Sequence, residues 1–282
     1  VDLKQTTKLG QATEYPEHYD AALLTPIPRS PNREKLAISG ELPFVGEDLW
    51  NAYELSWLNT KGKPVVAIGV FRIPADSANI VESKSFKLYL NSFNQTVFAD
   101  QEEVRSVMEV DLSRAVEGTV KVEILAPGRW EDEKSDWEQS TCLDDLDVTC
   151  TDYTPDINLL VLAGHDEGET DERSETVSET LCSHLLKSNC PVTGQPDWAT
   201  VYIRYKGKAI DHQGLLQYIV SMRGHQDFHE HCVESIYMAL MERCQPEKLA
   251  VYARYTRRGG LDINPLRSNY PETAANFKLA RQ

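Results

Sequence analysis

The chain has 282 residues, of which 41% are hydrophobic and 26% charged, with a formal net charge of -15. That length suits two modest domains or one large one, and the composition is that of an ordinary globular protein, which excludes disordered and fibrous classes. The negative charge repels a phosphate backbone, so no nucleic-acid partner is expected, and a small anionic ligand needs a local basic pocket.

The opening, through Pro26-Ile27-Pro28-Arg29-Ser30-Pro31, is rich in turn formers and reads as an arm without regular structure. Residues 53–58 and 65–71 read as strands that flank a turn at Lys61-Gly62-Lys63-Pro64, the pattern of an antiparallel hairpin. Apolar groups at 86, 89, 90 and 93 predict a helix over 84–93, followed by a second helix over 100–115 and a strand over 119–125. From Glu131 to Glu179 the chain is crowded with Asp and Glu and holds only Lys134 and Arg173 as basic residues, a solvated surface excursion. His184-Leu185-Leu186-Lys187 reads as a helix end. The earlier grammar then returns: a strand at 201–205, a turn at Lys206-Gly207-Lys208, helices over 211–223 and 228–243, and a strand over 248–255.

Pro43, Gly46 and Trp50 match Pro191, Gly194 and Trp198 at a fixed offset of 148, which also sends Glu82 to Glu230 and Tyr89 to Tyr237. This implies an internal duplication into two α+β modules, 1–170 and 171–282, joined through the acidic segment. At that offset Cys190 and Asp197 face Leu42 and Leu49, so a nucleophile and an acid belong to one copy only.

No run approaches the ~20 apolar residues that span a bilayer. The start, Val1-Asp2-Leu3-Lys4, lacks the charged and apolar regions of a signal peptide, so a cytoplasmic, membrane-free address is expected. Six cysteines, at 142, 150, 182, 190, 232 and 244, are too sparse for a disulfide scaffold and form no C-x-x-C pair. Free thiols and no metal site are therefore expected.

Cys190, in Ser188-Asn189-Cys190-Pro191, is the candidate nucleophile, and Asp197, seven residues on, could be turned back toward it as a proton donor. To donate near neutral pH, Asp197 needs a pKa raised by burial. His229 is a further polar candidate. Glu82 and Glu230 suit the N–H edge of a guanine-like ring, because a carboxylate accepts two parallel hydrogen bonds, although both also suit ordinary helix starts. Lys84 with Lys87, and Arg254, Arg257 and Arg258 before Gly259-Gly260, join positive charge to a backbone that can approach phosphate closely. Neither a G-x-G-x-x-G after a strand nor a phosphate-loop motif occurs. Cys232 could approach Cys190 closely enough for a disulfide.

At these residues the sequence resembles the NADPH-dependent 7-cyano-7-deazaguanine reductases of queuosine biosynthesis, in their long two-module form. The resemblance spans nearly the whole chain. It rests on Glu82-Ser83-Lys84-Ser85-Phe86-Lys87-Leu88-Tyr89, Ser188-Asn189-Cys190, Gln195-Pro196-Asp197-Trp198, Phe228-His229-Glu230 and the run from Tyr255 to Pro265. It implies an α+β architecture of tandem tunnelling-fold modules (T-folds), with antiparallel sheets and helices on one face. It also implies NADPH as cofactor and 7-cyano-7-deazaguanine as substrate; modules of this kind leave open sheet edges, so a homodimer is expected. By the resemblance Cys190 forms a covalent thioimide, Asp197 donates the proton and His229 lies beside the substrate. Val81, Glu82, Ser83, His229 and Glu230 contact the substrate, and Ser83, Lys84, Arg258 and Gly259 contact NADPH.

Two other readings stand beside this one. A pterin-type cyclohydrolase would use Cys190 and His229 as zinc ligands, but His225 and His231 offer no clear spacing for a third. A non-catalytic purine-binding module would leave Cys190 incidental.

Overall fold

The computed structural model describes residues 15–129, 134–164 and 176–282. Ten strands and five α-helices are arranged among them. The first, β1 (Pro26–Pro28), pairs antiparallel with β4 (Asn79–Val81), and a short helix α1 (Ser30–Lys35) follows β1 directly. The stretch 15–31 thus contains regular structure, including a 3-10 turn at Ala21–Leu23, where composition suggests none. Partners from distant residues supply what local sequence lacks: Arg29 N donates to Ala78 O at 3.0 Å and Thr25 N to Ser85 Oγ at 3.0 Å.

The remaining strands are β2 (Val45–Leu58), β3 (Pro64–Pro74), β5 (Lys121–Leu125), β6 (Thr141–Cys142), β7 (Thr176–Asn189), β8 (Pro196–Lys208), β9 (Lys248–Tyr255) and β10 (Leu261–Ser268). They form one eight-stranded sheet in the order β5-β3-β2-β10-β9-β8-β7-β6. Every pairing in it is antiparallel except β6 with β7. Helices α2 (Ser83–Ser92) and α3 (Gln101–Val116) follow β3 and β4, while α4 (His212–Ser221) and α5 (His229–Cys244) follow β8.

Helices α2, α3 and α4 start where an acidic side chain accepts their free N–H groups. Glu82 caps α2, its two oxygens accepting from Lys84 N and Ser85 N at 2.8 Å each. Asp211 caps α4 through Gly214 N at 2.6 Å. The apolar stripe of α2 is buried, and Phe86 packs edge-on against Trp50 and Phe71 with ring centroids 5.2 and 5.0 Å apart. Burying such a side chain stabilises by roughly 1.5–3 kcal/mol. Helices α2 and α3 share a core with β2, β3 and β5, and α4 and α5 share one with β7, β8 and β9. A third cluster, including Leu49, Tyr202, Tyr252 and Leu266, joins the two groups of strands and packs against Trp137 and Phe277.

The order strand-strand-helix-helix-strand therefore occurs twice, but not in the register read from the sequence. Trp50 lies in β2, the first strand of its unit, whereas Trp198 lies in β8, the second of its own. Glu82 opens the first helix of its unit and corresponds in position to Asp211, while Glu230 lies in the first turn of a second helix. The offset of 148 slips the comparison by one element. Two amphipathic helices follow each other closely in each unit, so a slip still lays helix on helix and keeps the apolar spacing plausible.

Two further local expectations fail. The run 184–187 lies inside β7 and 206–208 inside β8, because strand pairing from Thr176↔Lys208 to Asn189↔Pro196 carries both through. Strand β10, unexpected from the sequence, is central, pairing with β9 on one side and β2 on the other. Gly46 is required at that join. Its φ is +149°, and a Cβ there would meet Leu266 O at 2.0 Å.

Of the acidic segment, the described part is tied down by buried apolar residues: Trp137, Leu143 and Leu160. The boundary expected between residues 170 and 171 lies outside the described residues. No helix among the described residues is long and apolar enough to cross a membrane.

Candidate active site

Strand β7 ends at Asn189, and the chain turns through 190–195 into β8. Cys190 N donates to Gln195 O at 2.8 Å and Gly194 N to Cys190 O at 3.0 Å, closing a tight hairpin loop. Asn189 fastens this loop to the segment that leads into α5. Its backbone N donates to His225 O at 2.8 Å, its side-chain amide to Arg223 O at 2.9 Å, and its carbonyl accepts from Asp227 N at 3.1 Å. The thiol-bearing loop and the first turn of α5 are thereby held together. The pairing Ser188↔Asp197 puts Asp197 beside the end of β7, the return that the sequence required of it.

These elements surround a cavity of about 260 Å³. Cys190, Asp197, His229 and Glu230 line it from the second unit, and Val81, Ser83 and Lys84 from the first. Arg258 and Gly259 close it from the loop between β9 and β10. Glu82 does not line the cavity. It is fully buried with both oxygens engaged as the α2 cap, and burial raises its pKa.

His229 lies flat on Tyr255, with ring centroids 3.8 Å apart and planes 2° from parallel. Its Nε2 stands 3.4 Å from Asp197 Oδ1, and its Nδ1 is buried without a hydrogen-bond partner. The same Asp197 oxygen accepts a hydrogen bond from Arg258 Nη1, while Arg258 Nη2 bonds Gln195 Oε1. Burial drives the Asp197 carboxyl upward, but the hydrogen bond and charge of His229 and the Arg258 guanidinium outweigh it and hold it below its ordinary value. The raised acid expected from burial alone is thus not the state of this site. Two cationic or donor groups on one oxygen are the reason.

Glu230 is only 2% exposed, and its Oε1 has no hydrogen-bond partner. Burial, reinforced by the nearby charge of Asp48, pushes its carboxyl above the usual range. A buried acceptor left open toward a cavity fits a ligand that brings N–H donors.

The rim suits an anionic cofactor. Lys84, Lys87 and Arg258 border the cavity, and Gly259 adopts φ +59°, with room for a Cβ only 3.0 Å from Lys87 Nζ. Backbone and positive charge therefore converge where phosphates could be held. Tyr255, Phe228 and Gln195 are site residues that sequence reasoning used only as family anchors. Each lies next to a chemical residue, but nothing in its own spacing signals a role.

Cys232 is fully buried against Tyr255 and Ser188, and burial pushes its thiol up to about 12. All six cysteines are free. His225 and His231 join no group of metal-ligating side chains with Cys190 among the described residues.

The model of a family described as nitrile reductase, 7-cyano-7-deazaguanine-reductase N-terminal part, matches residues 15–124, and that of a family described as QueF-like protein matches 196–274. A Hahella chejuensis protein named NADPH-dependent 7-cyano-7-deazaguanine reductase is 63% identical over 282 residues, covering 100% of both chains. A Burkholderia multivorans protein of the same name is 54% identical over 275 residues, covering 97% of each. A solved archaeosine synthase QueF-Like in the apo form is 16% identical with a TM-score of 0.30, covering 34% of this chain and 96% of that one, a likeness too slight to bear on the argument.

Proposed function

The chain belongs to the NADPH-dependent 7-cyano-7-deazaguanine reductases, and we propose that the cavity at the end of β7 is where its reaction takes place. The protein is an oxidoreductase that uses NADPH to reduce the nitrile of 7-cyano-7-deazaguanine to an aminomethyl group, a step of queuosine biosynthesis. The observation that carries the assignment of the site is Glu230: a buried, unpartnered carboxylate oxygen in the same cavity as a thiol.

A nitrile carbon is a weak electrophile. The Cys190 thiolate adds to it while Asp197 gives a proton to the nitrogen, so a thioimide forms and no charge accumulates on nitrogen. NADPH, when bound, would supply the hydride chemistry, two molecules in succession being needed to take one nitrile to one amine, and Cys190 departs as thiolate between the two reductions. His229 stays on Tyr255 and keeps a ring nitrogen on Asp197, which orients the carboxyl and restores its proton. Glu230 accepts from the ring N–H edge of the substrate. Val81 and Ser83 border the substrate, and Glu82 acts on it through the cap that fixes the start of α2. Ser83, Lys84, Arg258 and Gly259 would contact NADPH.

The recurring strand-helix order supports reading the two units as tandem tunnelling-fold modules, 1–170 and 171–282. Among the described residues no strand pairs with the outer edge of β5, and a homodimer would cover such an edge. A reduced, cytoplasmic setting suits a reaction that needs a free thiol. The charge of -15 argues against a nucleic-acid partner.

Intact mass after incubation with 7-cyano-7-deazaguanine and no NADPH tests the site. One nitrile should add to the unmodified chain and none to Cys190→Ser; an adduct that persists in the variant would overturn the assignment.

A further inference from the structure

On the same strand as the active-site loop, but well before it, lies a second group of nucleophilic side chains that the reaction does not use. Cys142 and Cys182 are direct Cα partners in the parallel pair of β6 and β7. His184 follows Cys182 by two residues. The ligand atoms of the three all lie within 4.8 Å of one another, and Cys182 is buried while Cys142 and His184 are exposed. His184 and Cys190 are six residues apart, about 20 Å of extended chain.

The surroundings hold this group in place without help from it. Asp144, just past Cys142, accepts from Ser183 Oγ at 2.6 Å and from His184 N at 3.0 Å, and Leu143 N donates to Cys182 O at 2.9 Å. The connector carrying Cys142 is thus pinned to β7. The pairing of β7 with β8 shifts register between Ser183 and Leu186, and there His184 Nδ1 meets Thr200 Oγ1 at 2.8 Å. That bond fixes the imidazole and leaves Nε2 as the ring nitrogen for a ligand, the usual way a second partner orients a metal-binding histidine.

We propose that Cys142, Cys182 and His184 bind one divalent cation of the Zn²⁺ class, through two thiolates and one imidazole, with solvent in the fourth position. Zn–S and Zn–N bonds of about 2.3 and 2.0 Å require ligand atoms roughly 3.4–3.8 Å apart, so rotation of the exposed Cys142 and His184 side chains by about an ångström completes the site. Each thiol gives its proton to solvent as it binds, and the metal keeps its charge. A simple Cys142–Cys182 disulfide would leave the fixed imidazole without a purpose. Both carboxylate oxygens of Asp144 are already engaged, so it orients the loop and does not ligate. The consequence is a clamp: the cation fastens the acidic connector to the outer strand of the second unit, away from the nitrile.

Cobalt(II) titration of the reduced full chain, without nitrile or NADPH, tests this. A thiolate-to-cobalt absorption band should saturate at roughly one equivalent and be displaced by Zn²⁺. Cys142→Ser and His184→Ala should each lose the band or weaken binding at least tenfold, and Thr200→Val should weaken it roughly 10- to 100-fold. Cys190→Ser should keep the band, which separates this site from the catalytic thiol. Cys142→Ser and His184→Ala should still reduce the nitrile, reporting that they fold. The proposal is overturned if the full chain gives no thiolate band, if Cys142→Ser keeps the band at undiminished affinity, or if it is lost in Cys190→Ser. A reduced chain that takes up no cobalt and closes a Cys142–Cys182 disulfide on mild oxidation would overturn it as well.

Discussion

Arg258 and His229 converge on one oxygen of Asp197: the guanidinium hydrogen-bonds Oδ1, and His229 Nε2 stands 3.4 Å from it. Asp197 is held below its ordinary pKa although burial pushes the other way. A proton donor in this state needs one of the two groups withdrawn, and Arg258 is the one placed to turn toward a phosphate.

Arg258→Ala should therefore raise the Asp197 pKa, because burial is then opposed by His229 alone. Adduct formation requires the protonated acid and falls as pH rises through that pKa, so its descending limb should move to higher pH. The rate of adduct formation against pH, followed by intact mass, checks this. An unmoved limb would show that Arg258 does not set the acid.

Tyr255→Leu removes the surface on which His229 lies, while Tyr255→Phe keeps it. We expect the first to slow adduct formation by roughly 10- to 100-fold, the scale of a misplaced catalytic group, and the second to leave it near normal. Equal losses in both would point to the hydroxyl and not the stack.

Glu230→Gln keeps the shape of the side chain and removes a charged acceptor. Loss of a charge-assisted hydrogen bond costs about 1.5–3 kcal/mol, so KM for the nitrile should rise by roughly 10- to 100-fold. A fall in kcat at constant KM would instead assign Glu230 to the chemistry.

Asp48 and Glu234 sit in a fully buried network that joins the two units. Asp48 accepts from Arg29 at 2.5 Å and Arg267 at 2.8 Å, and Glu234 from Arg33 at 2.8 Å and Arg267 at 2.9 Å. Despite burial, the surrounding guanidinium groups hold both carboxyls below their ordinary values. Their stabilisation is present above the unfolded carboxylate range near 4 and is lost as pH falls through the depressed values. Thermal melting should be flat from neutral pH to about 5 and decline steeply below about 4. Glu234→Gln should cost roughly 3–5 kcal/mol at neutral pH and flatten that decline; a wild-type slope in the variant would remove Glu234 from the acid response.

How far the sequence could be read depended on whether the deciding residues were neighbours along the chain. Helices α2, α3, α4 and α5 lie within two residues of their expected bounds, because apolar spacing is a property of consecutive residues. The residues around Cys190 and the Glu82–Tyr89 motif were likewise legible as strings. Strand β10 was not. It is buried at every position, yet it carries Asp262, Asn264, Pro265 and Arg267, which no apolar pattern would select. Asp262 accepts from Asn51 and Tyr53, Asn264 donates to Leu49 O, and Arg267 pairs with Asp48 and Glu234. A polar residue is tolerated in a core only when partners satisfy it, and here most of those partners lie about two hundred residues away.

By itself, then, the sequence determined the four longer helices, the motifs around the thiol and the family to which the chain belongs. Only the tertiary structure decided that β2 joins β10, that Glu82 is occupied as a cap while Glu230 stays open, and that Arg258 restrains Asp197. It alone brings Cys142 to Cys182 and His184. Periodicity fixes which face of an element is buried, but sheet register and the charges gathered around one oxygen depend on which elements meet, and that is settled only when the whole chain packs.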